Sequence, residues 1–77
     1  MVQAYILVQT EVGRAADVAQ QISVIAGVVQ AENVTGPYDV IVRASAENVD
    51  ELGKLVGAQI SKVEGITRTL TCPVLRP

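Results

Sequence analysis

The spacing of apolar positions changes in a regular order along the chain, and each spacing predicts an element. "VQAYILVQT" (2–10) is rich in β-forming residues and predicts a strand. In "GRAADVAQQISVIAG" (13–27), Ala15, Val18, Ala19, Ile22 and Ile25 recur at helical spacing, and Gly27 is placed to stop the helix. "VVQAENVT" (28–35) and "DVIVRAS" (39–45) predict two strands joined by a turn. "AENVDELGKLVGAQISKVEG" (46–65) predicts a second helix. Its apolar stripe is Val49, Leu52, Val56, Ile60 and Val63, Ser45 or Asn48 offers an N-cap, and Gly65 ends it. "ITRTLTCPVL" (66–75) predicts the last strand; Pro73 would interrupt a central ladder, which places this end at an edge or beyond the sheet.

The two halves repeat. Ile22-Ser23-Val24-Ile25-Ala26-Gly27-Val28 matches Ile60-Ser61-Lys62-Val63-Glu64-Gly65-Ile66 at an offset of 38 residues, about half the chain. The same offset lays the first strand on the third and the first helix on the second. Two βαβ halves in tandem give βαββαβ, the split βαβ or ferredoxin-like topology of the α+β class. Right-handed crossovers then put both helices on one face of a four-stranded antiparallel sheet.

Such a fold leaves the other sheet face uncovered, and alternation assigns the two sides. Val2, Ala4, Ile6 and Val8 are expected to face the helices, with Val40, Val42, Ala44, Ile66, Leu70 and Cys72. The open face is expected to carry Gln3, Tyr5, Leu7, Gln9, Ile41, Arg43, Thr67, Thr69 and Thr71. A mixed face of this kind suits a partly apolar interface, with Tyr5, Leu7, Ile41, Arg43 and Thr67 as its candidate contacts. The plainer reading is a solvated face; a chain this small gains more by covering it.

Composition narrows the partners. At 77 residues the chain is one domain near the small end of what folds alone, and such domains commonly add a disulfide, a metal or a partner chain. With one cysteine, Cys72, no intrachain disulfide forms, and a reducing cytoplasm is the expected compartment. With no histidine, a zinc site has little to build on. A partner chain is left, so self-association is expected. The net charge is −2 and the six cations are scattered, unlike the basic stripe of a nucleic-acid binder. "MVQAYILVQTE" lacks a basic leader, and its longest apolar run is "AYILV", so neither signal peptide nor membrane span is expected. Met1 followed at once by a strand suggests a complete chain.

Most functions hosted by this topology lack their residues here. RNA recognition on the sheet needs stacked aromatics, and only Tyr5 qualifies. A metal-carrying version needs Cys-x-x-Cys where this chain has Glu11-Val12-Gly13-Arg14. An acylphosphatase-like anion loop needs more than Arg14 after Gly13. Ser23, Ser45 and Ser61 have no evident base, and Cys72, on the side expected to be buried, reads as a small hydrophobe. Asp39 and Glu32 are the carboxylates left for an enzyme of the small dimeric α+β barrel type. No catalytic residue, metal ligand or cofactor is assigned.

The segment "VTGPYD" (34–39) stands apart. Local chemistry makes it a hairpin corner: Pro37 pre-sets φ at the second position of a β-turn, Gly36 tolerates unusual backbone angles, and Asp39 bonds nearby amides. A strand ending in "VTG", one variable residue, then Tyr-Asp and an apolar strand, all within βαββαβ, resembles the effector-binding domain of Lrp/AsnC regulators, also called the RAM domain. The resemblance covers nearly the whole chain. Residues 26–56 carry most of it, and "VEGITRTLTCPVL" (63–75) resembles the family's closing glycine and Thr-rich strand.

The resemblance implies a homodimer formed through the sheets, assembling further to a tetramer or octamer. It implies an amino-acid effector held between dimers, with Thr35, Gly36, Pro37, Tyr38 and Asp39 lining the site. Glycine would let a ligand carboxylate approach backbone N–H groups, and Asp39 would hold the α-ammonium. Thr69 or Thr71 of a neighbouring chain would contact the effector side chain. Family regulators carry an N-terminal helix-turn-helix, which does not precede the first strand here. Residues 1–77 are therefore expected to form one stand-alone domain that does not bind DNA itself, sensing metabolites or assembling with full-length Lrp/AsnC regulators. Proline at the variable turn position stiffens the loop. The expected function is non-enzymatic amino-acid sensing and oligomerisation in transcriptional or metabolic regulation. A pure oligomerisation module and a small dimeric α+β barrel enzyme are the alternatives.

Overall fold

The structure is a computed structural model and describes residues 1–75. Its elements are β1 (Val2–Thr10), α1 (Ala15–Ser23), β2 (Val28–Asn33), β3 (Val40–Ala46), α2 (Val49–Lys54) and β4 (Ile66–Pro73). A π-helical turn (Leu55–Gln59) and a 3-10 turn (Ile60–Lys62) continue α2 toward β4. The strands form one antiparallel sheet in the order β2-β3-β1-β4. This is the ferredoxin-like arrangement that the repeat predicts. β4 is an edge strand, so Pro73 costs no central ladder bond.

The core lies between the sheet and the helices. Ile6 and Val8 of β1 and Val40, Val42 and Ala44 of β3 are fully buried in one cluster with Val18, Ala19 and Ile22 of α1, and Ala4 is fully buried beside it on β1. The second half supplies Leu52, Leu55 and Ile60. The repeated positions Ile22 and Ile60 are both fully buried, and truncating such a residue to alanine costs about 2–5 kcal/mol.

The glycines of the repeat are also equivalent. Gly27 (φ +97°) and Gly65 (φ +101°) each turn the chain from helix into strand. The Gly27 carbonyl accepts from Ser45 N–H and the Gly65 carbonyl from Glu11 N–H, both at 2.8 Å. A Cβ on Gly27 would lie 3.2 Å from Leu55 and 3.3 Å from the Ser45 carbonyl; one on Gly65 would lie 3.2 Å from Val18 and 3.3 Å from Arg14. Neither glycine is the helix stop itself, because α1 already ends at Ser23 and the 3-10 turn ahead of Gly65 ends at Lys62.

The second helix departs from a simple heptad. Asn48, not Ser45, is the N-cap, its side chain accepting the Glu51 amide at 2.8 Å. Ser45 belongs to β3. Val49, expected on the apolar stripe, is 70% exposed, while Leu55 is buried. The π turn supplies the reason: its extra residue per turn brings Leu55 and Ile60, five apart, onto the same core side.

β4 requires the larger correction. Thr10 pairs with Ile66 but Gln9 pairs with Arg68, so Thr67 is an extra residue in the ladder. A one-residue slip exchanges the faces of everything beyond it. Leu70 and Cys72, expected beneath the helices, are exposed opposite Leu7 and Tyr5. Thr69 and Thr71, expected on the open face, are half-buried opposite Val8 and Ile6. Ile66, before the bulge, packs against the core as expected.

Candidate functional site

The segment between β2 and β3 is a broad loop rather than a tight four-residue turn, with bends at Gly36, Pro37 and Asp39. It is closed by Val34 N–H donating to the Asp39 carbonyl at 2.9 Å. Gly36 has φ +148° and open space on its Cβ side. Thr35, Gly36 and Pro37 are exposed, while Tyr38 and Asp39 are half-buried.

The end of β1 holds this loop in place. Asp39 N–H donates to the Val8 carbonyl at 2.9 Å. The Asp39 carboxylate accepts the Thr10 backbone N–H at 2.8 Å and lies 3.4 Å from the Thr10 hydroxyl, both at Oδ2. The Gln9 side-chain amide donates to the Pro37 carbonyl at 3.3 Å. Asp39 therefore bonds a nearby amide, as the hairpin reading requires, but that amide is 29 residues away in sequence. Gln9 and Thr10 hold the candidate loop, and sequence reasoning did not single them out for it. Their only signal was position, at the end of a strand next to β3.

Beside the loop lies the open sheet face. Two cross-strand rows run over it: Arg43–Tyr5–Cys72 and Ile41–Leu7–Leu70. Tyr5, Ile41 and Leu70 are 43%, 37% and 44% exposed, so an apolar strip crosses the sheet uncovered. Of the expected interface residues, Tyr5, Leu7, Ile41 and Arg43 lie on this face. Thr67 sits at the bulge, exposed, with its hydroxyl donating to the Gln9 carbonyl at 3.2 Å. Leu70, Cys72 and Arg68 join the face through the slip in β4.

Among the described residues, two concavities lie away from the loop. One, of about 570 Å³, lies between the Gly27 turn and the start of α2, with Ser45, Glu47, Asn48 and Leu55 in its wall. The other, of about 670 Å³, is bounded by Met1, Val2, Gln3, Val49, Val74 and Leu75. Among the described residues no cluster of His, Cys, Asp and Glu is arranged to hold a metal, and no helix is long and apolar enough to cross a membrane.

Comparison with known proteins bears on the reading. The family model of the Lrp/AsnC ligand binding domain matches residues 3–77. An uncharacterised HTH-type transcriptional regulator of Pyrococcus furiosus is 34% identical over 55 residues, which are 71% of this chain and 37% of that protein. A homocitrate synthase of Sulfurisphaera tokodaii is 36% identical over 59 residues, 77% of this chain and 13% of the enzyme. The chain thus spans little more than a third of the regulator and a small part of the enzyme.

Among solved structures, TTHA0845 of Thermus thermophilus superposes with a TM-score of 0.94 at 30% identity, covering 100% of this chain and 96% of that one. A transcriptional regulator of Neisseria meningitidis, solved as a complex with L-Met, superposes with a TM-score of 0.84 at 19% identity, over 97% of this chain and half of the other; that match speaks for the fold alone. The family model, the regulator relative and the βαββαβ sheet agree, and the chain belongs to the Lrp/AsnC ligand-binding domain family.

Proposed function

We propose that this domain senses an amino acid and assembles with copies of itself in transcriptional or metabolic regulation, in the cytoplasm and without catalysis. The observation that carries the reading is the loop of residues 35–39, fixed to the end of β1 yet presented to solvent beside an uncovered apolar strip. Such a loop is preorganised, so a ligand does not have to order it. It lines neither of the two concavities described above, and in this account a second copy closes a pocket over it.

In this account Gly36 and its neighbours offer backbone N–H groups to the effector carboxylate. Asp39 uses Oδ2 on the Thr10 amide and turns its remaining oxygen to the α-ammonium. Thr35, Pro37 and Tyr38 complete the near wall, whereas Thr69 and Thr71 turn to the helix side of β4 beyond the bulge and are set aside as effector contacts. Tyr5, Leu7, Ile41 and Leu70 pair the sheets, with Arg43 and Thr67 toward the rim. Dimers would assemble to tetramers or octamers, alone or with full-length regulators of the family. The Neisseria regulator solved with L-Met is a protein of this fold that binds a ligand of the proposed class.

A thermal-shift panel of the twenty amino acids tests the reading. Stabilisation by a subset is expected, because a ligand bound only by the folded state raises Tm. No shift with any of them would favour the second reading, a pure oligomerisation module paired through the uncovered apolar strip.

A further inference from the structure

Gln9 occupies an unusual position. Its backbone alternates onto the open sheet face, where it pairs with Arg68. Its side-chain amide reaches the Pro37 carbonyl at 3.3 Å, and its own carbonyl accepts the Thr67 hydroxyl at 3.2 Å from the β4 bulge. One residue therefore touches the sheet-pairing face, the bulge of the edge strand and the loop. Thr10, next in sequence, points to the other side and holds Asp39. The rest of the loop's attachment to β1 runs through the Val8 carbonyl and the backbone N–H and hydroxyl of Thr10, none of them a side chain of the open face.

We propose that Gln9 is a positioning residue that links coverage of the open sheet face to the shape of the 35–39 loop. A second copy stacked on that face restricts the Gln9 side chain and removes water that competes for its amide, which strengthens the bond to Pro37. Pairing of the sheets then steadies the loop, and by linkage anything that steadies the loop favours pairing. The inference rests on the sheet-pairing part of the proposed function and does not depend on the effector.

The test is a double-mutant cycle read by amide hydrogen exchange at Val34 and Asp39, the two loop amides with backbone partners. Gln9→Met keeps the length of the side chain and removes the donor; Ile41→Glu prevents pairing. Four chains are compared without any amino acid: wild type, Q9M, I41E and I41E/Q9M. Sedimentation confirms their assembly states. The expected result is that Q9M speeds exchange by about three- to tenfold more in the paired background than in the unpaired one. Equal effects of Q9M in both backgrounds, or none, would overturn the proposal. Failure of the wild type to pair would overturn it together with the sheet-pairing reading. A chain that pairs but binds no amino acid would refute only the effector reading and leave Gln9 in place.

Discussion

Oδ2 of Asp39 accepts the backbone N–H of Thr10 at 2.8 Å, tying the loop between β2 and β3 to the end of β1. This single carboxylate both shapes the loop and is the candidate anchor for an effector. The two roles separate by substitution. Asp39→Asn keeps an acceptor for Thr10 and removes the charge, so urea unfolding should change by no more than about 0.5 kcal/mol while the amino-acid thermal shift shrinks. Asp39→Ala should lose both, with a stability cost of about 1 kcal/mol. An unchanged thermal shift in D39N would remove the ammonium role.

The apolar strip on the open face gives a second prediction. Ile41 and Leu70 contribute little to the single-chain core, because both are more than one third exposed. Ile41→Glu should therefore leave the circular dichroism spectrum intact and yield a monomer in sedimentation. Cys72 supplies an independent readout, since it shares the face with Tyr5. Its thiol should react with a disulfide reagent at least about tenfold faster in I41E than in wild type, as burial in an interface slows access. Equal rates would place the association surface elsewhere.

Gly65 and Gly53 should respond to alanine in opposite directions. Gly65→Ala forces a Cβ into a left-handed backbone position at 3.2 Å from Val18, and should cost about 1–2 kcal/mol from the backbone alone. Gly53 is helical with open space around it, and Gly53→Ala should stabilise by about 0.5–1 kcal/mol. Urea midpoints of the two variants check both signs.

The π turn makes a further prediction. Leu55→Ala should destabilise by about 2–4 kcal/mol, whereas Val49→Ala should fall within about 0.5 kcal/mol of wild type. A straight helix in the expected register would give Val49→Ala the large effect.

How far the sequence could be read follows from the same particulars. The 38-residue repeat put Ile22 and Ile60 in one core and Gly27 and Gly65 at equivalent turns, because helical spacing and turn glycines are local signals. β1 and β3 showed their faces by parity alone, since Ala4-Tyr5-Ile6-Leu7-Val8 and Val40-Ile41-Val42 are continuous apolar runs, and parity held because no residue is inserted where the two strands pair. In β4 the slip at Thr67 was silent: Thr67, Thr69 and Thr71 suit either face, and nothing local marks an inserted residue. Leu70 and Cys72 were assigned to the core by parity alone, and parity failed at the bulge. The loop was legible as "VTGPYD", yet its hold on Thr10 and Gln9 depends on β1 lying beside β3, a long-range fact.

The central claim is that an amino acid bound at the 35–39 loop changes how copies of the chain assemble. Sedimentation velocity of the wild-type chain, with and without the amino acid that most raises its Tm, tests this directly. The account predicts that the effector moves the distribution between assembly states, and that D39N keeps its assembly in the absence of effector but no longer responds. A distribution unchanged by all twenty amino acids at saturating concentration would contradict it.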